Sequence, residues 1–315
     1  MYANGSVLGG VGGFSGATPT AYGNHYPRLF PLPPDLVHGG PVLLAIRVWA
    51  GPWTGTGGGG MHVAPVIGAQ DAVTAQYRLQ WLKIFEGYAV DAVPALLFFL
   101  MAVLVLCLRP FEPRDRTPLW LAAALTLSGI QRGNQPFFFW WQIETVQGFV
   151  YFILAFTASL SLGAWMIAWR GWLRLDGSAW FPKAVAVLTG LLILTQLLGR
   201  PWLFGGTFPP FVADTVHYLI MALRLAFLLV FGWTIYQAAR LGREGWIALP
   251  AMLSIGVVLF AQELSLIHVP GIWFPFGVGL SLSECASVVF DLLLFALLVR
   301  RLHRLRGGVG VPQAA

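Results

Sequence analysis

Seven apolar runs, each long enough to cross a bilayer, constrain this chain more than any other feature. They cover 88–108, 118–140, 146–169, 180–199, 212–238, 246–264 and 279–299. A spanning helix needs about 20 mostly apolar residues. The first run, AVDAVPALLFFLMAVLVLCL, and the last, LSLSECASVVFDLLLFALLV, are uniform; the second is interrupted at Ile130–Pro136, and the sixth is short and ends at Gln262 and Glu263. Aromatic residues gather near several ends, as in PFFFWW and GIWFPF, where an interfacial belt would place them. Only 10% of residues are charged and 57% are hydrophobic, whereas soluble domains carry about 25% charged residues. The fold class expected is membrane all-α, a seven-transmembrane helix bundle.

Orientation follows from the basic residues beside these runs. Arg109, Arg114 and Arg116 follow the first; Arg170, Arg174 and Lys183 lie between the third and fourth; Arg240 and Arg243 follow the fifth; Arg300, Arg301, Arg304 and Arg306 follow the seventh. The opposite ends hold Arg132 and Arg200. That alternation predicts a multi-pass protein with its C-terminus cytoplasmic and residues 1–86 outside. The net charge of +6 is spent at helix ends and forms no patch for nucleic acid. Cys107 and Cys285 both fall within apolar runs, as buried small hydrophobes do, and imply neither a disulfide framework nor a metal site.

Residues 1–86 read differently. Asn4-Gly5 stands between short apolar pieces in YANGSVLGGVGGF, a hairpin signal. VLLAIRVWA is an apolar run interrupted by Arg47, as expected of a strand buried on both faces. GPWTGTGGGG after it has turn chemistry. These signals predict a partial β-sandwich over 1–70. Val73, Tyr77, Trp81, Ile84 and Phe85 then recur at near-helical spacing, which predicts an amphipathic linker helix over 71–87, lying on the membrane or running into the first span. The bundle takes 88–300 and a short cytoplasmic tail 301–315.

Tyr2, Asn4, Gly5 and Gly9, followed by Leu44, Ala45, Ile46, Arg47 and Val48, resemble the later strands of a galactose-binding-like jelly-roll, with its Y-x-N-G-x-x-(I/V)-G hairpin and LAIRV strand. Such a domain before seven spans is similar to the bacterial seven-transmembrane receptors with diverse intracellular signalling modules. The resemblance implies residence in the bacterial cytoplasmic membrane, a carbohydrate-like small ligand outside, and a kinase, cyclase or phosphatase module inside. Against that family the jelly-roll is truncated, no signal peptide precedes it, and no output domain follows the seventh span, so the effector is expected in trans or is missing from this chain. Arg47, Trp49 and Trp53 could line a sugar site, or serve as strand core and turn packing.

Ionisable groups at membrane depth are costly and functionally suspect. Arg224 lies about midway through the fifth run and Asp291 about midway through the seventh, with Glu284 seven residues earlier on the same helical face. Counted from the outer ends, Arg224 and Asp291 are each about 12 residues in, or about 18 Å. The expectation is an intramembrane pair of Arg224 and Asp291 on adjacent fifth and seventh helices, with Glu284 as second choice. Such a pair either holds the bundle together or lines a proton or ligand path. Asp91 and Glu263 fall near the outer ends, within reach of water.

No phosphate loop, zinc helix or nucleophile set emerges, and the last run has no lysine for retinal. No cofactor is expected, and the chain is not read as an enzyme. The function expected is a multi-pass sensor that passes an extracytoplasmic ligand signal to a cytoplasmic effector. Membrane lipid and a second copy of the chain are expected partners. The competing readings are a small transporter with a midplane polar site, or a membrane-embedded enzyme.

Overall fold

The computed structural model describes residues 1–10, 27–37, 40–47, 64–111, 113–141, 151–175, 177, 179–199, 210–269, 272–273 and 280–308. Contacts divide the chain into two units, Met1–Glu86 with Phe138–Phe149, and Gly87–Phe137 with Val150–Ala315.

In the first unit, strands β1 (Tyr2–Ala3), β2 (Ser6–Val7) and β3 (Leu44–Ala45) form an antiparallel sheet of order β2-β1-β3. Tyr2 pairs with Val7 and with Ala45. Asn4 and Gly5 both take positive φ, 47° and 84°, the geometry that a two-residue hairpin turn requires. Asn4 also fixes β3: its N–H donates to the Leu43 carbonyl at 3.0 Å, and its Oδ1 accepts the Leu43 N–H at 2.8 Å. Gly9 is needed for packing, because a Cβ there would lie 2.6 Å from the Phe30 ring. The strand around Arg47 is not buried on both faces. Leu43, Ala45 and Arg47 are exposed while Leu44 and Ile46 are half-buried, so its pattern is period two with one covered face. Trp49 and Trp53 lie outside the described residues, and the described strands form one small sheet rather than a two-layered sandwich.

Helix α1, Gln70–Leu108, is a single element of 39 residues. The expected linker therefore has no break before the first apolar run, and the boundary between the units falls inside the helix at Glu86/Gly87. Val73, Tyr77, Trp81 and Ile84 share its half-buried stripe, whereas Phe85 is exposed. Helix α2, Thr117–Trp140, continues through Ile130–Pro136, so that polar stretch does not interrupt it. A π-helical stretch, Tyr151–Ala158, runs into α3, Ser159–Trp172. Then come α4 (Trp180–Leu198), α5 (Pro210–Arg240), α6 (Arg243–Leu259), a short helix at Ala261–Leu266, a hairpin of β4 (Ile272–Trp273) and β5 (Leu280–Ser281), and α7 (Leu282–Gly308).

Helices thus account for most of the described part of each of the seven apolar runs. Four stretches among the described residues are long and apolar enough to cross a membrane: Gln70–Phe111, Trp180–Leu198, Asp214–Arg240 and Leu282–Leu305. The other three helices fall short for local reasons. Polar Gln131–Gln135 lies in α2, α3 emerges from the π stretch, and α6 stops at Phe260, whose φ of −114° and ψ of 27° leave the helical region.

In the second unit α7 packs along α6, α5 packs on α4 and α6, and α3 packs on α4 and α5. Within lipid the burial of apolar surface does not draw helices together, so close packing has to. Small residues permit it. Gly163 lies against Thr189 and Gly171 against Thr117, and a Cβ at Gly256 would stand 2.6 Å from the Phe231 ring. The centre is aromatic: Phe290 meets the Trp165 ring edge-on at 5.1 Å and the Phe98 ring at 6.1 Å, and Trp165 stacks on Trp169 at 6.2 Å. Such pairs contribute about 0.5–1.5 kcal/mol each beyond area, and they tie α1, α3 and α7 together. A buried hydrogen-bond chain adds α2: Trp165 Nε1 donates to Ser128 Oγ at 2.9 Å, and Ser128 lies 3.1 Å from Ser161 Oγ.

Candidate functional site

Most hydroxyls in the bundle are already committed. Thr157, Thr189, Thr195, Thr234 and Ser254 each donate to the carbonyl four residues back, at 2.8–2.9 Å, which satisfies the group inside its own helix. The remaining polar side chains concentrate in three places.

The first lies where α7 begins. Ser281 Oγ accepts the Glu284 N–H at 3.1 Å, and Glu284 Oε2 accepts the Ser281 N–H at 2.7 Å. This reciprocal pair is a capping box: a Ser at the cap and a Glu three residues on satisfy two otherwise orphaned donors. Glu284 is 8% exposed, and the Asp91 carboxyl of α1 and the Arg132 guanidinium of α2 lie near enough to act on it by their charge. Three helices therefore converge on one carboxyl pair and one guanidinium. Along the same face of α7 follow Ser287, whose hydroxyl donates to the Ser283 carbonyl at 2.7 Å, and then Asp291. Asp291 is 4% exposed, and neither of its carboxyl oxygens has a hydrogen-bond partner.

The second place is Arg224 on α5. Its Nε and Nη2 both hold the Glu263 carboxylate, Nη2 at 2.8 Å, and Nη2 also donates to the Leu259 carbonyl at 3.1 Å. The expected pairing of Arg224 with Asp291 is corrected by this geometry, and Glu284 does not take its place. The break at Phe260 explains the difference. It ends α6, leaves the Leu259 carbonyl available, and lets Ala261–Leu266 bring Glu263 to α5. Helices α5 and α7 each pack on α6, and neither Asp291 oxygen has a partner, so Arg224 and Asp291 form no pair.

The third lies at the opposite end of α7. Glu244, in the first turn of α6, accepts from Arg300 at 3.0 Å and from Arg304 at 2.8 Å. Arg301 donates to Asp115 at 2.6 Å and sits over the Trp172 ring at 5.1 Å. Asp115 meanwhile accepts the Thr117 N–H at 2.8 Å at the start of α2. The Arg304 hydrogen bond holds the Glu244 carboxyl below the usual glutamate range, opposed slightly by burial and aided by the charges of Arg300, Arg304 and Arg243. Burial alone would push Asp115 up. The Thr117 hydrogen bonds and the Arg301 guanidinium outweigh it, and its carboxyl titrates below the usual aspartate range.

Arg47 lies two residues past β3 and is exposed. Among the described residues no three His, Cys, Asp or Glu side chains stand together as a metal site would. Asp91 and Arg132 were not expected as a site. Ser281-x-x-Glu284 before an apolar run is a sequence signal for the capping box, but no sequence spacing reports that α1 and α2 bring Asp91 and Arg132 to it.

A helical bundle with four membrane-length apolar helices, in which Arg224 holds Glu263 across two helices, defines an integral membrane protein. No family model, curated protein or solved structure matches the chain, so its function rests on the residues themselves.

Proposed function

We propose that the chain is a multi-pass membrane sensor of the bacterial cytoplasmic membrane. In this reading all seven long helices cross the bilayer, residues 1–86 face outward, and the arginine-rich end of α7 faces the cytoplasm. A carbohydrate-like ligand engages the outer segment around Arg47, Trp49 and Trp53, the β1–β3 sheet being part of a jelly-roll sandwich. The signal leaves through a cytoplasmic effector.

One observation carries the reading. The Asp91 carboxyl, on the helix that follows the N-terminal sheet, lies beside Glu284 at the start of the last helix of the bundle, with the Arg132 guanidinium acting on both. A displacement of α1 is thereby imposed on α7, whose far end is tethered by Arg300, Arg301 and Arg304. Ligand then shifts the population between two α1–α7 arrangements, to the extent that it binds one better than the other. A second reading, a small transporter, draws on the unpartnered Asp291 at mid-helix.

The test uses the intact chain in sealed vesicles. Single cysteines replacing Gly58 and Gly307, in a background without Cys107 and Cys285, should react from opposite sides. The vesicles should take up monosaccharides and disaccharides no faster than empty ones. Reaction of both cysteines from one side, or sugar uptake above the empty control, overturns the reading.

A further inference from the structure

The arginines at the far end of α7 are already engaged within the chain. Asp115 accepts the Thr117 N–H at 2.8 Å with one oxygen and Arg301 at 2.6 Å with the other. Glu244 accepts Arg304 at 2.8 Å with both oxygens, and Arg300 shares one of them at 3.0 Å. The segment between α1 and α2 is different. Arg109, Arg114 and Arg116 are exposed, and none of their guanidiniums holds an acid among the described residues. With Asp115 balanced by Arg301, this segment keeps three arginines against Glu112. Beside these cations lies an apolar groove of about 310 Å³, lined by Leu106, Arg109, Pro110 and Pro113, where α1 runs out through a 3₁₀ turn at Arg109–Phe111. Pro110 and Pro113 carry no N–H. That wall therefore suits a hydrocarbon chain better than a free phosphate, which clustered amide N–H groups hold. Phe111 in the turn and Trp120 in the first turn of α2 are exposed, as aromatic residues at a membrane interface are.

We propose that the segment joining α1 to α2 binds an anionic phospholipid of the surrounding bilayer, with an acyl chain in the groove and the phosphodiester held by Arg109, Arg114 and Arg116. Guanidinium forks match phosphate oxygens in shape as well as charge. A zwitterionic lipid would bring its own cation to three arginines, so charge complementarity selects a lipid with net negative charge. The densest basic sequence of the chain, Arg300–Arg306, is not the site. Arg300, Arg301 and Arg304 are held by Glu244 and Asp115, and a lipid phosphate there would have to displace those carboxylates. The groove and the unpaired cations lie within one stretch of chain, so the site is complete without a partner molecule of protein. The inference rests on the membrane class of the chain and not on the sensor reading.

The test is native mass spectrometry of the intact chain released from detergent micelles, with dioleoyl phosphatidylglycerol and dioleoyl phosphatidylcholine as competing probes. A basic residue near an anionic lipid surface contributes about fivefold in affinity. The wild type should therefore carry phosphatidylglycerol in preference to phosphatidylcholine by at least about fivefold. Arg109→Gln, Arg114→Gln and Arg116→Gln combined should abolish that preference, and Arg304→Gln should leave it in place. Equal occupancy by the two lipids in the wild type, an undiminished preference in the triple variant, or as large a loss in Arg304→Gln overturns the proposal. Should the triple variant fail to fold, the wild type carries the test in phosphatidylcholine nanodiscs doped with a phosphatidylglycerol whose acyl chain is photoreactive. Peptide mapping should find the adduct within residues 106–113, and inorganic phosphate should reduce it no more than chloride of equal ionic strength does. An adduct confined to other segments overturns the proposal, and so does one that phosphate removes and chloride does not.

Discussion

Arg224 of α5 grips the Glu263 carboxylate through two of its nitrogens, leaving Asp291 on α7 without a hydrogen-bond partner. These two charged residues thus differ in kind: Arg224 is a paired cation, and Asp291 is a solitary acid on another helix.

The pair predicts a coupling. Arg224→Leu strands Glu263 and should destabilise the intact chain by about 1–3 kcal/mol, as expected for a partly buried group left without its partner. Combining it with Glu263→Leu should recover much of that loss. Denaturation midpoints of the two single variants and the double variant in nanodiscs decide it. Strict additivity means that the two residues do not act on each other. Arg224→Leu with Asp291→Leu, by contrast, should be additive.

The capping box predicts a graded series at Glu284. Glu284→Gln keeps an acceptor for the Ser281 N–H and should preserve helicity at the start of α7. Ser281→Ala removes the cap and should cost about 0.5–2 kcal/mol. Hydrogen exchange of the amides at 283–285 reads the difference directly, and equal protection in all three proteins contradicts the cap.

Trp165 predicts a small polar effect inside a large packing effect. Trp165→Phe keeps a ring against Phe290 but loses the bond to Ser128, and interhelical hydrogen bonds in membranes average about 0.6 kcal/mol. Trp165→Ala should cost several times as much, because it empties the fully buried meeting point of α1, α3 and α7. A loss in Trp165→Phe as large as in Trp165→Ala would assign the stability to the hydrogen bond instead.

At the arginine end of α7 the prediction concerns acid. Asp115 and Glu244 titrate below their ordinary ranges in the folded chain. A depressed carboxyl contributes stability above its unfolded value and loses it as pH falls through its folded one. The contribution should be intact at neutral pH and decline as pH falls below about 4, through the lowered folded values. Asp115→Asn should therefore lower the melting midpoint at neutral pH and converge with the wild type in acid. The Glu244 share is solvent-exposed, so about 1 M salt should screen much of it. A midpoint difference for Asp115→Asn that persists unchanged at about pH 3 rules out this origin.

Local chemistry was legible in the sequence where the chain acts on itself. Asn4-Gly5 specifies a turn because few residues other than Gly and Asn tolerate positive φ, and the apolar runs specify helices because lipid leaves the backbone no other partner. Distant relationships were not legible. Counting depth along the fifth and seventh runs pointed Arg224 toward Asp291, and no such count reports the break at Phe260 that brings Glu263 to α5. Ser281 and Glu284 carried a cap signature, but a hydropathy count absorbs them into a span. The meeting of Asp91, Arg132 and Glu284 depends on how three helices pack, which no periodicity within one of them encodes.

In the proposed sensor the meeting of Asp91 and Glu284 governs the far end of α7. Its most direct test is the reaction rate of a cysteine replacing the exposed His303, in a background without Cys107 and Cys285, toward a membrane-impermeant maleimide. The rate is compared among the wild-type cluster, Asp91→Asn, which keeps a polar side chain of the same size beside Glu284, and Asp91→Ala, which removes it. A wild-type rate is expected for Asp91→Asn and a change of at least about fivefold for Asp91→Ala, the low end of couplings between sites. Equal rates in all three proteins, with all three folded, would contradict it.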